Sequence, residues 1–227
     1  MTASAELIAA RYSAVRRGIL LSYATIGYNT LEAIGSLIAG LLAGSVALVG
    51  FGIDSVIEVI ASVAVQWRLR TDADLSRRSA SEMLTLRIVG WCFVALAAYV
   101  TVDGVKSLYL AEAPDRSWFG LTILVLSAVV MPVLAWAKRR VALKMQSTAL
   151  EAEAKQTSLC AYLSVIALAG VGLNALLGWW WADPVAALAM VPIIVREGVH
   201  GIRLQPDEHD TSVDRRAHRP RGVDVNP

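Results

Sequence analysis

Asp54 and Glu58 stand four residues apart inside Ser45 to Trp67, a stretch otherwise apolar and long enough to cross a lipid bilayer as one helix. On a helix that spacing stacks both carboxylates on one face, about 6 Å apart. An ionised side chain at the bilayer centre costs roughly 2.5 to 3.5 kcal/mol on insertion scales. Intramembrane acids mark paths for ions or protons, and two oxygen donors stacked in this way suit a shared divalent cation. A structural salt bridge to a neighbouring helix is the other reading of such a pair; the stretch itself contains no Lys or Arg.

The elements that position this pair follow from hydropathy. Of the 227 residues, 56 % are hydrophobic, and they are clustered into long runs instead of being spread periodically as in a water-soluble globule. Six runs reach or approach the length of the hydrocarbon core: Gly18 to Leu42, Ser45 to Trp67, Ile88 to Leu110, Trp118 to Ala137, Leu159 to Trp181, and Pro184 to Val195 with a helical continuation to Ile202. The expected fold is an all-α membrane protein with six transmembrane helices. A net charge of +2 gives no reason to expect nucleic acid as a partner.

Where the positive charges fall matters more than their sum. Arg11, Arg16 and Arg17 precede the first span, five arginines from Arg68 to Arg87 separate the second from the third, Lys138, Arg139, Arg140 and Lys144 follow the fourth, and Arg203 follows the last. The opposite connections carry one basic residue, Arg116. The positive-inside rule thus puts both termini in the cytoplasm and the chain in an inner or plasma membrane. Trp179, Trp180 and Trp181 would form an aromatic belt at the outer interface. Cys92 and Cys160, the two cysteines, both fall in predicted spans, so no disulfide scaffold is expected. No cleavable signal peptide is indicated, since the first apolar run is longer than a signal core.

Residues 1–17 read as a cytoplasmic amino-terminal segment, 18–204 as the transmembrane domain and 205–227 as a disordered cytoplasmic tail with too little apolar surface to offset its ordering entropy. His200, His209 and His218 recur every nine residues, a spacing that fits neither one helical face nor a zinc signature. From Ala142 to Ser158 the chain is polar but helix-favouring, so the fifth helix should begin outside the bilayer and run into it unbroken. Asp183-Pro184 is a helix-start dipeptide that predicts Asp183 as the cap of the sixth helix. Asp103 and Lys106, three apart, predict a local ion pair. Small residues on the first two spans, among them Gly35, Gly40, Gly50 and Gly52, would let those helices approach closely.

Two runs, Gly44-Ser45-Val46-Ala47-Leu48 leading into Gly52-Ile53-Asp54-Ser55-Val56-Ile57-Glu58, and Ala149-Leu150-Glu151-Ala152-Glu153-Ala154-Lys155-Gln156-Thr157-Ser158-Leu159-Cys160, resemble the second and fifth helices of the cation diffusion facilitators, which export divalent metals from the cytosol. Trp181-Ala182-Asp183-Pro184 resembles the start of their sixth helix, and the likeness runs roughly from Arg16 to Ile202. It implies a tetrahedral transport site between the second and fifth helices. Asp54 and Glu58 match the acid pair, the second commonly an Asp; Gln156 stands where a His is usual and Cys160 where an Asp is usual. Cys160 would be a good zinc or cadmium ligand or else a small packed residue, whereas the Gln156 amide is a poor zinc donor that water or Glu153 could replace. Glu153, Gln156, Thr157 and Cys160 share a helix face. Asn29 and Glu32 would either brace the ligands from behind or hydrogen-bond to a neighbouring helix.

The resemblance implies a secondary transporter that exports Zn²⁺ or a similar divalent cation, by proton antiport, as a homodimer in the lipid bilayer. The cation is its substrate; no prosthetic group is expected. In that family a cytoplasmic domain after the sixth helix helps to join the dimer. About 25 residues follow the sixth span here, so a compact member lacking that domain is expected. The alternative is a non-transporting membrane metal sensor or assembly subunit with a degenerate site, for which the Gln156 and Cys160 departures speak. Enzymatic function is not expected: an acid pair and one Cys lack a base partner, and no nucleotide fingerprint occurs.

Overall fold

A computed structural model describes residues 2–70, 75–145 and 148–203. The proposed tail with His209 and His218, and the side chains of residues 1–15, lie outside the described residues. The chain forms six helices: α1 (Thr2–Ala43), α2 (Val46–Arg70), α3 (Leu75–Leu110), α4 (Trp118–Met145), α5 (Thr148–Leu177) and α6 (Ala182–Arg203). Each contains a stretch long and apolar enough to cross a membrane, and no strand occurs among the described residues. The fold is the expected all-α six-helix bundle.

The bundle has an apolar core, but α1 carries a buried polar stripe and an exposed apolar face. Ser22, Thr25, Asn29, Glu32 and Ser36 are buried along α1, while Leu31, Ile34, Ile38, Leu41 and Leu42 on the same helix are exposed. That distribution suits a lipid surround, where apolar side chains face the hydrocarbon and polar ones find partners inside. The most extensive helix pairs are α1 with α2, α3 with α6 and α4 with α5, and α2 and α5 meet in the interior. Gly52 lies against Leu37 and Gly40 against Val49, where an added Cβ would come within 2.9 and 2.8 Å. Gly35 instead meets Ile123 of α4, and Gly50 meets Val100 of α3, so small residues of the first two helices serve other helices as well.

At one end of the bundle the three short connections meet. Glycines with positive φ, Gly44 (66°) and Gly178 (70°), end α1 and α5, and backbone bonds from Ser45 N–H to Gly40 and from Trp179 N–H to Leu173 close the helix ends. The fifth helix therefore stops at Leu177 instead of continuing to Trp181, and Trp179 stacks on Trp181 in the turn. A third end of the same kind follows α3, where Glu112 N–H bonds to Ser107 and Ala111 takes the left-handed conformation at φ 51°. A non-glycine residue there costs about 1–2 kcal/mol, partly offset by the extra chain entropy of glycine. Ala111→Gly should thus stabilise the protein by about 0.5–1 kcal/mol, visible as a higher melting temperature in detergent; an unchanged or lower one would show the strain to be absent.

Asp183 corrects a sequence expectation. It lies in the first turn of α6, but its carboxylate accepts hydrogen bonds from the Ser45 hydroxyl (2.5 Å) and from Ala47 N–H (3.4 Å), so it caps α2. Ser45 adds a cap of its own to Leu48 N–H at 3.1 Å. Asp103 and Lys106 do not pair either: Lys106 reaches Glu112 (3.5 Å) and Asp103 accepts from the Tyr99 hydroxyl (3.2 Å). The basic connections are largely helical, because polarity ends a membrane span without ending a helix made of good helix formers: α2 runs through Arg70, α3 starts at Leu75, and α5 starts at Thr148, ahead of the apolar run, as expected.

Candidate metal site

Three polar stripes face one another in the interior. They are Asn29 and Glu32 within the α1 stripe, Asp54, Ser55, Glu58 and Ser62 on α2, and Glu153, Thr157, Cys160 and Ser164 on α5, all buried. Spacings of three and four keep each set on one side of its helix. Asp54 and Glu58 are 4 % and 2 % exposed, so the pair is removed from solvent as well as from lipid.

Glu32 joins this pair from α1. Its Oε2 accepts from the Ser55 hydroxyl at 2.9 Å and lies 4.0 Å from the Cys160 thiol. Asp54 and Glu58 are buried on the facing stripe of α2. Cys160 thus has a carboxylate beside it while also belonging to the buried apolar core, whereas Cys92 is half-buried against that core. Asn29 is buried on α1 with neither amide atom hydrogen-bonded.

Gln156, one turn from Cys160, is half-buried at the edge of the α5 stripe and not among its buried members, where the helical spacing predicts it. With Asp54, Glu58 and Glu197 of α6 it borders a small, partly open cavity, about the room of one water molecule, whose walls are mostly apolar and include Phe93 and Ile194. The amide Nε2 of Gln156 is buried without a hydrogen-bond partner, as is Oε2 of Glu58. As the side chains stand, no three His, Cys, Asp or Glu among the described residues close around a metal ion.

A buried cation underlies the site. Lys138 of α4, fully buried, donates to Glu153 Oε1 at 2.9 Å and to Thr157 Oγ1 at 3.0 Å. The Thr157 hydroxyl carries a single hydrogen; with the ammonium donating into its oxygen, that hydrogen goes to Glu58 Oε1 at 2.7 Å. Ser22 of α1 donates to the second oxygen of Glu153 at 3.0 Å. Both oxygens of Glu153 are therefore engaged, and one oxygen of Glu58 is held while the other is buried without a hydrogen-bond partner.

Lys138 was expected among the charges of a solvated connection. It is instead inside the bundle because α4 continues to Met145 and Lys138 falls on its inward stripe, with Leu124, Ser127, Met131, Ala135 and Ala142 at intervals of three and four. Arg139 and Arg140 lie on the exposed side, Arg140 over the Trp136 ring at 3.8 Å. That stripe was the signal in the sequence by which Lys138 could have been found. Glu197 was missed as well, since it follows the most apolar part of the last span and has no acidic neighbour at helical spacing.

The comparisons with known proteins agree with this architecture. The model of the cation efflux transmembrane domain matches residues 22–203. The chain is also similar to an uncharacterized transporter of Synechocystis, 24 % identical over 168 residues, which is 71 % of this chain and 54 % of that protein. The chain thus spans about half the length of the curated relative it matches. With the family model covering most of the first span, the other five and both acids of the buried pair, the chain belongs to the cation efflux transmembrane domain family.

Proposed function

We propose that this protein is a secondary transporter that exports a divalent metal cation, Zn²⁺ foremost, from the cytosol in exchange for protons. The observation that carries this reading is the buried carboxylate pair, Asp54 and Glu58, on a cavity inside a membrane bundle, with one Glu58 oxygen unpartnered. Asp54 and Glu58 would hold the cation, with Gln156 and Cys160 at its flanks and Asn29 and Glu32 behind. Anionic ligands bind a cation when deprotonated and release it when protonated, which couples the two flows if the site opens alternately to the two sides. In this reading both termini lie in the cytoplasm, which the basic residues flanking the spans support, and a homodimer would associate through its lipid-facing helices. Glu153, tied to Lys138 and Ser22, would position Thr157 against Glu58.

The test is flux. Purified protein in sealed vesicles with an imposed pH gradient should accumulate Zn²⁺ and move protons the opposite way. Cation binding without flux would instead support a non-transporting metal sensor. Cys160 makes the cation preference testable, since a thiolate favours softer metals. Cys160→Ala should lower Cd²⁺ transport relative to Mn²⁺ by about tenfold or more. An unchanged ratio would leave Cys160 a packing residue.

A further inference from the structure

Polar bonds tie the helices together at the end where the three short connections meet. The Asp183 carboxylate of α6 accepts from the Ser45 hydroxyl at 2.5 Å and from Ala47 N–H at 3.4 Å, and all three residues are buried. Nearby, Asp115 N–H donates to the carbonyl of Ala43, the last residue of α1, at 2.8 Å, and the Asn174 amide of α5 donates to the Pro114 carbonyl at 3.0 Å. The first turns of α6 are also closely packed, with Gly104 of α3 against Leu188 and Gly170 of α5 against Ala186.

The small, partly open cavity bordered by Asp54 and Glu58 lies towards the opposite, basic end. Its α6 residues, Ile193, Ile194 and Glu197, fall in the second half of that helix, and Gln156 and Leu159 fall in the first half of α5. Between this cavity and the short connections, α6 is in apolar contact with α2: Met190, 1 % exposed, stands 3.8 Å from where a Cβ on Gly50 would be. A path from the acid pair to the short connections therefore requires α2 and α6 to part at that end.

The Asp183 tie is built to be released. An anion at the start of α2 is held by the unpaired N–H groups and the helix dipole there. Ser45 and Asp183 both stand at the beginnings of their spans, beside the turn that carries Trp179 and Trp181, where water can take over their hydrogen bonds once they separate. Deeper in the bilayer the same separation would leave polar groups without partners.

We propose that Asp183 is the latch of a gate at the outer end of the bundle: its bonds to Ser45 and Ala47 hold α6 against α2 while the site is turned to the basic end, and they break when it opens to the other side. This rests on the reading of the protein as an alternating-access transporter, and goes beyond it in naming the contact that must part.

A reversible cross-link across the contact is the test. The purified full chain carrying Ser45→Cys and Asp183→Cys is joined by oxidation or, where the thiols do not meet, by a short reducible bifunctional thiol reagent; the chain with its native cysteines alone, treated alike, gives the background. Cross-linking should lower Zn²⁺ flux into vesicles at least about tenfold, with flux returning on reduction, while equilibrium Zn²⁺ binding stays within about twofold. Because one variant is compared with itself, the lost helix cap cancels. Undiminished flux in the cross-linked form overturns the latch and leaves the transporter standing, whereas Zn²⁺ binding without flux by the wild-type protein overturns the transporter reading and the latch with it. Where the double variant fails to fold, Asp183→Ala decides, in a chain carrying Met190→Cys as reporter. A membrane-impermeant thiol reagent added on the short-connection side should label that thiol at least about tenfold faster than when Asp183 is present, with labelling from the basic side unchanged. Equal rates with and without Asp183, or a rise from both sides as local unfolding would give, make Asp183 a helix cap and nothing more.

Discussion

Asp54→Asn and Glu58→Gln should each reduce divalent cation flux into vesicles by more than about 100-fold, at unchanged membrane expression. The substitutions keep side-chain volume and one carbonyl oxygen while removing the negative charge, so the packing around α2 is preserved and Thr157 can still donate to residue 58. What disappears is the attraction that compensates a cation for its lost hydration in a site buried from solvent. Ser62→Ala is the matched control: it lies one further turn along the same stripe, is buried, and has no hydrogen-bond partner among the described residues. Its flux should stay within about twofold of wild type, because no ligand oxygen or partner is removed. Wild-type rates in both acid variants would eliminate the pair as the transport site.

The second large effect should come from Lys138→Met. The Lys138–Glu153 pair has 0 % and 3 % of its side-chain surface exposed, so removing the ammonium strands a buried carboxylate. Stranding one partner of a buried pair costs about 3–5 kcal/mol, whereas removing both charges together is often close to neutral. Lys138→Met should therefore melt well below wild type in detergent, and Lys138→Met with Glu153→Gln should recover most of the loss. A double variant as unstable as the single one would mean that packing of the Lys stem, and not charge pairing, holds α4 to α5. Flux should fall in the single variant beyond what stability explains, since without the ammonium the Thr157 hydrogen is free to turn from Glu58 to the Glu153 carbonyl at 3.0 Å.

The sequence by itself determined the six spans and the helical register of Asp54 over Glu58; of the face read for Glu153, Gln156, Thr157 and Cys160, it placed Glu153, Thr157 and Cys160 together on the buried stripe and Gln156 wrongly among them. These depend on properties local to one helix: the run of apolar residues needed to cross a bilayer and the 3.6-residue repeat. They also held together a family likeness that the matched domain model bears out over residues 22–203. Only the tertiary structure decided that Lys138 is inside and not in a connection, that Asp183 caps α2 and not its own helix, and that Gln156 and Glu197 border one cavity with Asp54 and Glu58. Each of these depends on how one helix is rotated and offset against another. Spacing along the chain fixes which residues share a face, but the neighbour that face meets is set by side-chain packing between helices, and in a lipid surround no gradient of hydrophobicity between helices reveals it.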